Sequence, residues 1–232
     1  MNTFKTTALT LGALLVSSAA FADGHSNAPK FYGHVFGGYT NAPDLSFSGT
    51  IGGAPQTVAT EFGSGYNFGI AVGKNIGAWS NSKINTRAEI ELSYSRANVD
   101  AIDFSGNGVG FEPNTSGSIS TTNLFANVLF DFKTSTKWTP YAGFGAGVAF
   151  VDNDLVYGPN VRISDSDQAF AAQLIAGTSY ELSEQMDLTF DARYSRAFNV
   201  SSSRLNGAGA STGTVTEDVD NLRVNVGVRF KF

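Results

Sequence analysis

The sequence predicts an all-β fold: a closed antiparallel up-and-down barrel of about eight strands that crosses a membrane. Three observations carry the prediction. Apolar and polar residues alternate with a period of two along segment after segment, which places them on opposite faces of an extended chain. The connections alternate long and short, so in a meander every long one emerges on the same side. The 232 residues are 42% hydrophobic and only 15% charged, yet the mean hydropathy is −0.06. That value excludes a protein of several membrane-crossing helices, each of which needs about 20 apolar residues in a row. It is what an apolar outer face, a polar inner face and polar loops average to.

The chain opens with a short region holding Lys5, then an uncharged run from Ala8 to Phe21, then Ala20-Phe21-Ala22. This is the three-part pattern of a cleaved export signal. Residues 1–22 are therefore expected to be a signal peptide for Sec-type export, residues 23–30 a short periplasmic segment, and residues 31–232 the barrel.

The elements follow in order. Residues 31–40 and 65–75 are Gly-rich strand candidates. From residue 87, Ala88, Ile90, Leu92 and Tyr94 form one face, and Arg87, Glu89, Glu91 and Ser93 the other. In 124–132, Leu124, Ala126, Val128, Phe130 and Phe132 oppose Phe125, Asn127, Leu129 and Asp131. In 142–150, apolar even positions alternate with Gly143, Gly145, Gly147 and Ala149. Residues 172–182 put Leu174, Ala176, Tyr180 and Leu182 opposite Gln173, Ile175 and Glu181. In 188–195, Leu188, Phe190, Ala192 and Tyr194 oppose Thr189, Asp191, Arg193 and Ser195. The last strand is the most regular: from Leu222 to Phe232 every even residue is apolar, and Arg223 and Arg229 lie on the opposite face.

Long Gly/Ser/Thr-rich connections at 41–64, 98–118, 152–167 and 201–220 are expected outside the cell, with 201–217 of the last one mobile. The short ones at 76–82, 133–137 and 183–185 are expected in the periplasm. A soluble barrel would alternate too, with its apolar face inward. Against it stand the nearly uninterrupted bulky apolar face, the opposite face of charges and glycines, and the final aromatic. In hydrocarbon no backbone polar group can stay unpaired, so the first strand must close on the last.

The inward face then receives Arg87, Glu89, Glu91, Asp131, Glu181, Asp191, Arg193, Arg223 and Arg229. An eight-stranded lumen is only wide enough for side chains. The opposite charges are expected to pair into a plug, and replacing Glu89 and Glu91 by Gln to raise conductance. Aromatics near strand ends, Trp138 and Tyr180 on the periplasmic side and Tyr39, Tyr94, Phe150 and Phe198 on the outer side, are expected to form interfacial girdles.

Trp138-Thr139-Pro140-Tyr141-Ala142-Gly143-Phe144-Gly145-Ala146-Gly147-Val148, residues 173–180, 187–194 and 221–232 resemble the small outer-membrane barrels of Gram-negative bacteria: the OmpA-type transmembrane domain and the porin-family surface antigens of alphaproteobacteria. The likeness spans nearly the whole mature chain. It implies a place in the bacterial outer membrane and a C-terminal signal, Phe230 and Phe232, read by the barrel-assembly machinery. OmpA carries a further peptidoglycan-binding domain; here the sequence stops at the last strand.

Other chemistries are thinly represented. Net charge is −5, with no basic concentration for nucleic acid. There is no Cys, hence no disulfide or thiolate chemistry. His34 has no Ser beside it in sequence, and no His pair suggests a metal enzyme. Asp152, Asp154, Asp165 and Asp167 bracket the third long connection. They are weak candidates for a Ca²⁺ or Mg²⁺ site, and a solvated acidic loop is the plainer reading. No cofactor is expected. Expected partners are outer-membrane lipids and lipopolysaccharide, the assembly machinery, and host or cell-surface ligands of the loops. The leading expectation is a structural or surface-exposed barrel. A narrow channel for small solutes comes second, and a lipid A-modifying enzyme third.

Overall fold

The computed structural model describes residues 31–41, 45–51, 54–106, 110–111, 116–157, 161–206 and 211–232. The expected signal peptide (1–22) and N-terminal segment (23–30) lie outside them. The strands are β1 (Phe31–Asn41), β2 (Leu45–Ile51), β3 (Ala54–Ile76), β4 (Ile84–Gly106), β5 (Gly110–Phe111), β6 (Ser116–Phe132), β7 (Trp138–Tyr157), β8 (Val161–Ser183), β9 (Met186–Asn206) and β10 (Ser211–Lys231). Eight of them close a ring in the order β1–β3–β4–β6–β7–β8–β9–β10, every pairing antiparallel. β2 and β5 are short additions pairing with β3 and β4.

The register fixes the barrel's geometry. Asn41 pairs with Leu222, Leu222 with Tyr194, Tyr194 with Leu174, Leu174 with Phe144, Phe144 with Val128, Val128 with Ala88, Ala88 with Lys74, and Lys74 with Phe31. One circuit thus returns to β1 ten residues from where it began. With roughly 3.3 Å per residue and about 4.8 Å between strands, this offset tilts the strands by about 40°.

The two faces are those of a membrane barrel, not of a soluble one. Outward positions expose Val35, Phe68, Ile90, Leu124, Phe144, Leu174 and Val224, the last two at 63% and 55%. Inward positions bury Arg87, Glu91, Arg193 and Arg223. At the periplasmic end the rim is laced by backbone bonds. Phe31 and Phe232 exchange N–H···O bonds of 3.0 and 2.9 Å, and Lys231 N–H donates to Gln185 O at 2.8 Å.

The long connections are mostly strand. β3 begins at Ala54, β4 runs to Gly106, and β7 to β10 continue well past the apolar band as paired hairpins. The segment expected to be mobile at 201–217 has strand backbone at 201–206 and from 211 onward. Alternation of hydropathy marks only the lipid-facing stretch. Beyond it both faces can be polar, while Ser, Thr and Val still favour extended pairing.

Pairing is irregular on both sides of the outer barrel: β3–β4 shifts register between Glu61 and Gly65, and the β8–β9–β10 seam departs further. The β8–β9 ladder lapses between Ile163 and Ala171, and β9 bulges at Phe198 and Asn199, which together face Asp218 on β10. Side-chain carboxylates stand in for the ladder here. Asp167 Oδ2 accepts the Ser201 N–H at 2.6 Å, and Asp218 Oδ1 accepts the N–H of Asn199, a left-handed residue with φ 54°.

Candidate functional site

The inward residues form three strata along the barrel axis. The lowest, toward the periplasm, is charged. Arg87 binds Asp131 through Nε at 2.8 Å and donates from Nη1 to Tyr32 Oη at 2.8 Å; Tyr32 in turn donates to Glu89 at 2.9 Å. Arg229 and Lys231 both hold Asp187, at 2.7 and 2.9 Å. Above them Glu91 is the hub, accepting from Arg193 Nη1, Arg223 Nη1 (3.4 Å), Asn127 (2.9 Å) and Gln173 (2.8 Å). Asp191 gathers Arg193, Tyr141 and Asn225. Every carboxylate in this layer therefore meets a guanidinium, an amide or a phenol, the condition for keeping charge out of water.

Glycines make the packing possible. A Cβ at Gly73 would run into the ring end of Tyr32, and one at Gly69 into the ring of Phe36. Phe36 in turn lies under the Arg193 guanidinium, 4.1 Å from ring centroid to Cζ. Large residues on one strand fill the gaps that glycine leaves on the next.

The middle stratum is polar but uncharged. Thr40 donates to Asn221, and Asn221 donates to Ser95. The upper stratum is apolar. Ala97, Ile119, Ala149, Val151, Ala169, Ala171, Ala197, Val200 and Val219 are all buried, with Thr121 and Asn153 as polar members. The collar is most tightly covered at Ala149, with 0% exposure, and Val151, with 1%.

The residues singled out from the sequence fall as follows. Arg87, Glu89, Glu91, Asp131, Asp191, Arg193 and Arg223 are buried in the lumen and bonded to one another or to amides, phenols and hydroxyls, and the buried Arg229 is bonded to Asp187 and Ser179. Glu181 is corrected: it keeps the inward parity, in register with Asp187, but it stands at the open periplasmic mouth beside the β8–β9 turn and is exposed rather than buried in the network. Asp187 takes its place, with Arg229 and Lys231. The inward parity of Thr189 and Asp191 extends back to it and could have revealed it. Tyr32 and Tyr141 were also missed, because a tyrosine looks the same on either face until the register is known.

Trp138 and Tyr180 meet at the lower rim, ring centroids 4.9 Å apart. Tyr94 lies 5.4 Å from Phe68 and 6.4 Å from Tyr66. Phe198 stacks on Phe170 at 5.9 Å. Tyr39, Phe150, Phe230 and Phe232 are exposed on the outer surface.

Asp152, Asp154 and Asp167 do not converge, and the side chain of Asp165 lies outside the described ones. Asp152 and Asp154 are exposed on β7. Asp167 pairs in register with the inward Val151, and Asp165 with the inward Asn153. Among the described residues no group of three acidic or histidine residues could hold a metal ion. The strand register splits what looked like one loop.

His34 does meet a hydroxyl: Nε2 lies 3.0 Å from Thr189 Oγ1, across 155 positions of sequence. Both groups are buried in the packed lumen. The cavity found at the barrel's periplasmic mouth, about 270 Å³, is lined by Arg87, Asp131, Asp187 and Arg229, with neither His34 nor Thr189 in its wall.

A closed ring with an apolar exterior and an internally paired polar filling defines a β-barrel protein of the bacterial outer membrane. The comparisons narrow this to a family. Residues 7–232 match the outer membrane protein beta-barrel domain, and the chain belongs to that family. Similar solved structures include Neisserial surface protein A, at 17% identity over 87% of this chain and 97% of that one, with a TM-score of 0.52. OprG from Pseudomonas aeruginosa matches at 14% identity, 89% and 99% coverage and 0.56. The outer membrane protease OmpT from Escherichia coli matches at 8% identity, 91% and 99% coverage and 0.52. No curated protein matches the chain.

Proposed function

We propose that the protein is a non-conducting, non-enzymatic barrel. It anchors in the outer membrane through its wall and presents its outer hairpins for structural or adhesive contacts. The carrying observation is the filled lumen: Glu91, Arg193 and Arg223, at the crossing point of the network, have side chains 0–1% exposed. Ions need a hydrated path, and two kinds of barrier lie in series across this one. Paired charges fill the lower lumen, and a dry apolar layer of the kind that gates pores by dewetting closes the upper. Lipid and lipopolysaccharide around the wall, the assembly machinery at Phe230 and Phe232, and cell-surface ligands at the hairpins are the partners of this reading. The His34–Thr189 pair supports no enzyme, since both members are buried within the lumen packing.

Reconstitution tests it. Liposome swelling with small sugars and amino acids should match protein-free liposomes, and planar bilayers should show no stepwise conductance. Reproducible unitary steps would overturn the reading in favour of a channel.

A further inference from the structure

Two arginines stand on the outward face just beyond the apolar band, and their surroundings differ. Arg196 on β9 is held by Asp220, with Nε and Nη2 bonds of 2.6 and 2.7 Å, and lies 4.0 Å from Asp218. Arg96 on β4 is exposed, and no carboxylate among the described residues pairs with it. Its cross-strand neighbours carry hydroxyls: Tyr66 on β3 and Ser120 on β6. One step closer to the membrane lie Tyr94 and its partner Thr122. Below these, the same face of the wall exposes Phe68, Leu92 and Leu124.

We infer that this outer lip of β3, β4 and β6 binds the phosphate of an outer-leaflet glycolipid. Arg96 is the anion-binding group, the flanking hydroxyls are secondary donors, and the acyl chains run down over Phe68, Leu92 and Leu124. A guanidinium forks onto a phosphate with two parallel charge-assisted bonds. A phenol ring beside it bridges the wet and dry sides of the interface. The height is right: Arg96 lies two residues beyond the outward Tyr94 on β4, at the level where lipid phosphates sit. On the β9–β10 side the protein supplies its own anions to Arg196, which leaves that arginine no call for a lipid's. The proposal deepens the lipid partner named above and is independent of whether the lumen conducts.

The test uses the full barrel in phosphatidylcholine vesicles doped with diphosphoryl lipid A, or with the same lipid stripped of its phosphates. Lipid association is read by native mass spectrometry, and folding is verified by heat-dependent gel migration. Arg96→Gln is expected to lower the apparent affinity for diphosphoryl lipid A about tenfold, while Arg196→Gln stays within about twofold of wild type. Arg96→Lys keeps the charge and loses the fork, and serves if the Gln variant fails to fold; it is expected to lose about threefold. Unchanged affinity in the folded Arg96 variants, or equal binding of the dephosphorylated lipid by the wild type, overturns the site. Neither outcome bears on the closed lumen, which conductance tests separately.

Discussion

The lower and upper halves of the lumen are built from the same inward-facing strand positions, yet the lower threads a paired charge network among Phe125, Leu129 and Ile175, and the upper is filled mainly by small apolar side chains. Toward the periplasm, Arg193 on β9 and Arg223 on β10 reach across the barrel to Glu91 on β4, while Arg87 pairs with Asp131 on the neighbouring strand and Arg193 also holds Asp191 on its own. Toward the outside, alanines and valines of the same parity are buried. A narrow barrel needs side-chain volume inside, and the difference shows two ways to supply it. Charged residues span the diameter but must all be paired. Small apolar ones need no partners but exclude water only where packing is tight. The lower half should therefore be fragile toward loss of one partner, and the upper half toward a single polar atom.

The largest expected effect lies at the hub. Glu91→Gln removes the charge shared by Arg193 and Arg223 and leaves both guanidinium groups under-compensated. Breaking a buried pair in this way costs about 3–5 kcal/mol. A urea titration of the folded, heat-modifiable form should show it as a lower midpoint. An unchanged midpoint would mean that the network is decorative and the lower half no different from the upper.

Second comes Gly73→Val in the wall of the charged layer. The added side chain would displace Tyr32, and with it the bond to Glu89 and the bond from Arg87. Overpacking of this kind costs about 1–3 kcal/mol. Gly77, with nothing near its missing Cβ, is the comparison site, and Gly77→Ala should leave the midpoint in place.

Third is the collar. Val151→Thr adds one hydroxyl at constant shape in a dry layer and should cost about 1–3 kcal/mol. Its conductance matters more. Two barriers in series mean that Glu91→Gln alone should stay closed in planar bilayers. Combined with Ile119→Ser and Val151→Ser, it should leak. The sequence alone leads to the opposite expectation, that neutralising Glu89 and Glu91 opens the lumen, because alternation reveals the charges and not the collar. Leakage in the Glu89→Gln plus Glu91→Gln variant would show that the collar does not seal.

The reason is physical. Period-two patterning is sharp where one face must be apolar for lipid, so β10 is legible from Leu222 to Phe230 and the inward Arg223 and Arg229 with it. Past the membrane nothing enforces the contrast. β7 and β8 continue as a paired hairpin through Tyr157 and Val161, although residues 152–167 read as an acidic loop. Partners depend on register around the ring, which no single strand encodes. Tyr32 and the His34–Thr189 contact therefore emerge only when β1, β9 and β10 are set side by side, whereas Asp187 follows from the parity of its own strand.

The smallest expected effect isolates burial from charge. Arg196 and Asp220 make bonds as short as those in the lumen, but on the wet outer rim. The hydrogen bonds from Arg196 hold the Asp220 carboxyl below its usual range against a smaller opposing effect of burial. Because its folded-state value is depressed, the pair's contribution is present above the ordinary carboxylate range. It is lost as pH falls through the depressed value. Solvent screens an exposed pair, so Asp220→Asn should lower the urea midpoint far less than Glu91→Gln, and added salt should shrink the difference further. The remaining deficit should vanish at acid pH, where wild type and variant converge. If Asp220→Asn proved as costly as Glu91→Gln, burial would not be what sets the lower lumen apart, and the contrast between the two halves would have to rest on bond geometry alone.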